Sequence, residues 1–287
     1  MYYLDFLKLL RSQLPSQYTM SIAIPASYYY LKAFPAKEMS QVLDYFIFMT
    51  YDLHGQWDYG NKFTSPGFPA GNCLRSHINR TETETAFSMI TKAGVPINKL
   101  MMGSPLYGRS FKMSQAGCYT QDCTYTGPDS GATAGRCTGT PGYLSNYEIY
   151  EIIAGGGKRD AIEQHSSEEA GDILMYGDNN WVSWERPETY NKRSDWAHSL
   201  GLAGTSDWVC LLEFTRTLHL LTHTLIRPWT SMRPTAMMTA QVALAATPRT
   251  ATLTAFAMKF KARISRLKTG ARTISAVPQC KNCNRLR

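Results

Sequence analysis

The sequence predicts an α/β fold in which short buried strands alternate with helices. Two observations carry this. Four apolar runs each end in a polar turn, and between them lie helical patterns with recognisable starts and stops. Strands that alternate with helices build parallel βαβ units, arranged either as a doubly wound sheet or as a barrel.

The elements follow in order. "MYYLDFLKLLRSQ" reads as an amphipathic helix; its early Asp5 and the lack of a small-residue cleavage site argue against a signal peptide. "MSIAIPAS" (Met20 to Ser27) is a first strand and "YFIFMTYD" (Tyr45 to Asp52) a second. Thr81 and Glu84 have capping-box spacing, and Gly94 stands where that helix should stop. "KLMMGSPLYG" (Lys99 to Gly108) is a third strand, continued by "RSF" so that Tyr107 and Arg109 alternate to one side. The connection from Ser110 to about Tyr176 is too long for a βα loop and reads as an inserted α+β subdomain. Its one helix starts at a second capping box, Ser145 with Glu148. Pro187 suits the first turn of the next helix, which runs to Gly201, and "LAGTSDWV" (Leu202 to Val209) is a fourth strand.

Composition supports a globular core up to Glu213 and something different after it. The chain is 44% hydrophobic, with no apolar run long enough to cross a membrane. The net charge of +8 misleads, because residues 214–287 hold thirteen Lys and Arg and no Asp or Glu. Residues 1–213 therefore form the predicted domain. Residues 214–287 read as a basic low-complexity tail, either disordered or the product of a frame change. Nucleic-acid binding is the competing reading of such a tail; no nucleic-acid partner is expected for the domain. Cys118, Cys123 and Cys137 lie in the insertion without the paired spacing of a zinc site, which predicts disulfides and an oxidising compartment. Cys280-x-x-Cys283 lacks a second ligand pair, and no metal or cofactor is expected. Asn79-Arg80-Thr81 is a glycosylation sequon consistent with secretion.

The strand ends carry the chemistry. The second strand ends in Tyr51 and Asp52, with Met49 on the same face as Tyr51 and Trp57 a few residues on. Taken alone, core packing for Met49 and Tyr51 and a turn or cap for Asp52 explain that strand equally well. The third ends in Tyr107 and Arg109, and the fourth in Asp207 and Trp208. Aromatic planes beside a few hydrogen-bonding groups suit a sugar, which offers flat C–H faces and a ring of hydroxyls. Neither a GxGxxG nor a Walker motif is present to hold phosphate.

"MTYDLHGQWD", "GSPLYGRSF", the cysteine-bearing insertion and "GLAGTSDWV" together resemble the later half of a family 18 glycoside hydrolase, most closely the fungal chitinases of killer-toxin alpha-subunit type. The resemblance runs from about Tyr2 to Val209. It implies a partial (β/α)8 TIM barrel made of the later four strands. It implies that Tyr51 holds the N-acetyl group of the sugar at the cleavage point and that Asp52 contacts the same sugar. Trp208 would floor that subsite, Tyr107 and Arg109 would line the cleft, and Trp57 would stack on the leaving-group side. The implied reaction is substrate-assisted, retaining hydrolysis of β-1,4-N-acetylglucosamine polymers, in which the acetamido oxygen attacks the anomeric carbon. The implied partners are chitin or chitooligosaccharides, with the chain monomeric and extracellular.

The family's general acid is the last residue of Asp-x-x-Asp-x-Asp-x-Glu, and these 287 residues contain no such motif. Glu38, Glu82, Glu148 and Glu185 match no family acid. The expectation is a chain without four of the barrel strands and their acid, inactive alone, with open sheet edges. A non-catalytic chitin-binding protein is the alternative.

Overall fold

A computed structural model describes residues 2–64, 67–155 and 163–208 and the strand Ile226–Pro228. The expected tail otherwise lies outside the described residues.

Two five-stranded sheets make up the fold. The first holds β1 (Ser21–Pro25), β2 (Tyr45–Met49), β3 (Leu100–Pro105), β9 (Gly204–Trp208) and β10 (Ile226–Pro228). β1, β2, β3 and β9 are parallel neighbours in that order, and β10 adds antiparallel to β9. The helices are α1 (Tyr2–Gln13), α2 (Tyr28–Leu31), α3 (Ala36–Ser40), α4 (Arg80–Lys92), α5 (Asn146–Ala154) and α6 (Pro187–Ser199). α2 and α3 connect β1 to β2, α4 connects β2 to β3, and α6 leads into β9. This is four-eighths of a (β/α)8 barrel, the predicted class.

Strand alternation divides the core in two. Phe46 and Phe48 face outward into a cluster with Phe87 and Ile90 of α4 and Trp196 of α6. Tyr45 and Ile47 face the other way and meet Met101. Both faces of β2 are thus covered, as a parallel strand requires.

The third predicted strand is two strands. β3 stops at Pro105, and after Leu106 the chain enters β4 (Tyr107–Lys112), a strand of the second sheet. Proline cannot extend a ladder through its nitrogen, so the run breaks there. The second sheet is antiparallel, in the order β5 (Tyr143–Ser145), β4, β8 (Asn180–Trp184), β7 (Gly171–Tyr176) and β6 (Glu163–Ser167). The second sheet takes in residues from Tyr107 to Trp184, reaching beyond both ends of the expected insertion, and α5 is the one helix of that stretch among the described residues. A disulfide joins Cys118 to Cys123.

The start of α4 is also corrected. Asn79, not Thr81, is the N-cap: its side chain accepts from the Glu82 amide at 2.9 Å and donates to Glu169 at 3.3 Å. The sequon asparagine is thus engaged in capping. The box at Ser145 and Glu148 forms as predicted, and Pro187 opens α6.

Candidate active site

β2 ends at Met49, so Tyr51 and Asp52 lie in the turn beyond it rather than in the strand. Thr50 is fully buried and donates to the Gly103 carbonyl at 2.8 Å, which ties this turn to β3. Tyr51 lies against Gly103, where a Cβ would stand 2.7 Å from its ring and 2.9 Å from the Phe48 carbonyl. Only glycine leaves room for the ring there. Asp52 has φ of 57°, a left-handed conformation that aspartate tolerates better than most residues.

That turn aims the Asp52 carboxylate across to β4. Tyr107 donates its hydroxyl to Oδ1 at 2.7 Å. Arg109 donates from Nε to Oδ1 at 2.8 Å and from Nη2 to Oδ2 at 2.7 Å, a bidentate pair. Tyr107 and Arg109 alternate to one side of β4, as the spacing predicted, and both reach the same carboxylate. Burial alone would raise the Asp52 pKa. The His77 ring and the Arg109 guanidinium facing it hold the carboxyl well below the usual range. Burial pushes the Tyr51 and Tyr107 hydroxyls up, and the Asp52 charge adds to this, so both remain protonated donors.

Aromatic rings surround the pair. Tyr51 and Tyr107 meet edge to face at 6.2 Å, and Met49 and Tyr143 pack against them. Arg109 also lies over the Trp57 ring at 4.8 Å. Trp57 sits in a 3-10 turn, Gln56–Asp58, and folds back over Gly55. Its ring and that of Trp208 are each 48% exposed, enough to offer a flat apolar face. Trp208 stands at the carboxyl end of β9, in register with Pro105. Tyr51, Asp52, Trp57, Tyr107 and Arg109 thus form one contact cluster, with Met49 packed beneath it.

Two histidines complete the site. His77 is fully buried, and its Nδ1 lies 3.3 Å from the Asp52 amide nitrogen and 3.6 Å from the Asp52 Oδ1. His54, two residues after Asp52, contacts Asp58 at 2.6 Å and Glu82 at 2.9 Å. Its spacing to Asp58, i to i+4, was a local signal. His77 had none, since the chain brings it from 25 residues away.

Three of the four carboxylates set aside in the sequence, Glu82, Glu148 and Glu185, have structural partners. Glu148 closes its capping box and also accepts from the Cys137 amide at 2.6 Å. Glu185 is buried against Arg193 at 2.5 Å. Glu82 binds His54 and Arg75. Asp207 accepts from Tyr190 at 2.8 Å.

Residues 1–210 match the model for glycosyl hydrolases family 18. A probable chitinase, LysM18, from Penicillium expansum is 48% identical over 215 residues, 74% of this chain and 15% of that protein. The killer toxin subunits alpha/beta of Kluyveromyces lactis are 39% identical over 206 residues, 72% of this chain and 17% of theirs. This chain therefore spans a fifth or less of the length of these curated relatives. Among solved structures, catalytic domain 2 of the Group II chitinase from Ostrinia furnacalis, in complex with a chitooligosaccharide, matches with a TM-score of 0.58 and 27% identity. That match covers 73% of this chain and 53% of the other. With the half-barrel, the inserted sheet and nearly three quarters of its length matched, the chain belongs to glycosyl hydrolases family 18.

Proposed function

We propose that this chain is the substrate-positioning half of a chitinase and binds β-1,4-linked N-acetylglucosamine oligomers at the cluster around Asp52. The observation that carries the reading is the Asp52 carboxylate, fixed by Tyr107 and both arms of Arg109 at the carboxyl end of parallel strands, with the half-exposed Trp57 against Arg109 and the half-exposed Trp208 at the end of β9. In barrels of this kind that end is where substrates bind.

The protonated Tyr51 hydroxyl suits an acetamido oxygen, and the Tyr107 hydroxyl, its proton given to Asp52, can accept from a neighbouring sugar hydroxyl. The Asp52 charge would steady the cationic ring that forms when the acetamido oxygen attacks C1 and the glycosidic oxygen departs. Trp57 and Trp208 supply stacking faces. The departing oxygen also needs a proton, and a positioned acid contributes roughly 10²–10⁴-fold. The carboxylates near the cluster are committed to His54, Arg75, Arg109, Arg193 and the helix cap, and the family's acid motif is not among the 287 residues. Alone, the chain holds the oligomer without cleaving it, which is also the behaviour of a non-catalytic chitin-binding protein. The Cys118–Cys123 disulfide fits an extracellular setting.

Calorimetric titration with a soluble N-acetylglucosamine tetramer, alongside a fluorogenic chitobiose assay, tests this. Saturable binding with no turnover is expected. Turnover at the rate of full-length relatives would overturn the assignment of the missing acid, and lack of binding by the folded chain would overturn the site.

A further inference from the structure

Trp57 is half exposed yet held in one place, and a chain of contacts behind it accounts for this. Its turn begins at Gly55 and ends at Asp58, both buried. Behind the turn lies the His54 ring, 6% exposed. Nδ1 stands 2.6 Å from the Asp58 carboxylate and Nε2 stands 2.9 Å from that of Glu82. A neutral imidazole has one N–H and one lone pair. Two carboxylates at hydrogen-bond distance from the two ring nitrogens therefore require both nitrogens to carry protons. Arg75 pairs with the other oxygen of Glu82 at 3.2 Å, so the cluster holds two cations and two anions and is electrically balanced only with His54 charged. Among the described residues, the further titratable groups around the turn are Tyr125, which stacks against Phe111, approaches the Gly55 carbonyl and feels the Asp58 charge, and Tyr59 and Cys73 beside Tyr125. The two anchors come from different elements: Asp58 from the Trp57 turn, Glu82 from the first turn of α4.

We propose that His54 is a positioning residue: as an imidazolium clamped between Asp58 and Glu82 it fastens the Trp57 turn to α4 and so holds the stacking face against which a sugar binds. The inference rests on the oligosaccharide-binding reading for its consequence, though not for its geometry. His54 is not a group that touches substrate. It acts through Trp57, over whose ring Arg109 also lies at 4.8 Å. Hydrogen bonds from His54 to both carboxylates raise its pKa to about 9 despite burial, so the clamp stays closed through neutral pH. Above that pH one nitrogen loses its proton, faces a carboxylate with a lone pair, and one anchor opens.

The charge state is read first. The His54 Cε1–H resonance of the full chain, assigned by its loss in His54→Gln, is followed from pH 5 to pH 10. It is expected to stay at the imidazolium position through pH 8; titration near the ordinary histidine value of about 6.5 would overturn the proposal. The positioning role is read by calorimetry with the N-acetylglucosamine tetramer. His54→Gln and Glu82→Gln should each weaken binding about tenfold at pH 7, a typical loss for a misplaced aromatic anchor. Both should also remove the loss of affinity that the parent shows at alkaline pH. Glu82 is partly exposed, so its variant remains informative if His54→Gln fails to fold. In a Trp57→Ala background, His54→Gln should weaken binding no further. A general structural role would weaken it in both backgrounds, and that result, or unchanged binding in both single variants, would overturn the clamp. If the parent binds no tetramer at all, the binding reading falls. The clamp is then judged by acrylamide quenching of Trp57, taken as the difference from Trp57→Phe: increased quenching in His54→Gln supports it and unchanged quenching overturns it.

Discussion

Asp52 shows how much one residue's environment can determine. Its left-handed backbone, the contact with His77 and three side-chain donors fix one carboxylate orientation. Replacing Arg109 by Lys removes the second arm of the pair and the planar contact with Trp57. Arg109→Lys should weaken tetramer binding about tenfold with the melting temperature nearly unchanged, as seen by calorimetry and thermal scan. The Asp52 pKa is depressed on folding, so its stabilisation is complete above the unfolded value of about 4 and is lost as pH falls below that. The stability gap between the parent and Asp52→Asn should therefore narrow steadily as pH falls below about 4 in urea titrations. His54 behaves oppositely. Its pKa is raised to about 9, so its stabilisation is complete below about 6.5 and disappears as pH rises through 9. Urea midpoints of the parent, but not of His54→Gln, should fall over that range, by the equivalent of up to ~3 kcal/mol. Tyr51, Asp52, Tyr107 and Arg109 were legible because strand alternation and a polar strand end announce them. His77 and Glu82 were not, because which distant side chain meets a motif is decided by packing rather than by spacing.

At the scale of elements, hydrophobic pattern found the parallel strands and end chemistry placed them less well. Phe46 and Phe48 alternate with Tyr45 and Ile47, and each set fills its own cluster. The run looked continuous because Leu106 and Tyr107 carry the apolar pattern of β3 past Pro105; the change of sheet there is a tertiary event. Thr81 had the right spacing for a capping box, but Asn79 lies two residues earlier and caps α4 while bonding Glu169 as well. The end of β8 is joined to α6 by the buried Glu185–Arg193 pair, which no pattern signalled. Burial pushes Glu185 up and Arg193 down, against their mutual attraction. Arg193→Met should destabilise the fold by ~3–5 kcal/mol, because a lone buried carboxylate remains. Glu185→Leu with Arg193→Met should recover most of that, and a double-mutant cycle by chemical denaturation checks it.

At the scale of the molecule, four parallel strands form an arc rather than a closed barrel. Among the described residues no strand pairs with the outer side of β1. An open parallel edge invites pairing with another chain. Association measured by sedimentation should rise with concentration and be reduced by Ala23→Lys, which puts a charge on an exposed position of that edge. The partial barrel and its insertion were legible from motif order; the antiparallel architecture of the insertion was not, because a long turn-rich segment, residues 113–142, separates β4 from β5 and hides which strands pair. The passage from β3 to β4 has one further consequence. A single residue, Leu106, carries the chain from the arc to the inserted sheet, and its amide is pinned to the Trp208 carbonyl at 2.6 Å. The arc and the inserted sheet are held together there, again where Tyr107 and Arg109 grip Asp52, and again where Asn79 bonds Glu169. Chain added beyond Arg109 and clear of the Glu169 turn would raise the inserted sheet while leaving those three joints in place, so under the proposed function the length of oligomer accommodated becomes a trait that varies independently of the Asp52 cluster.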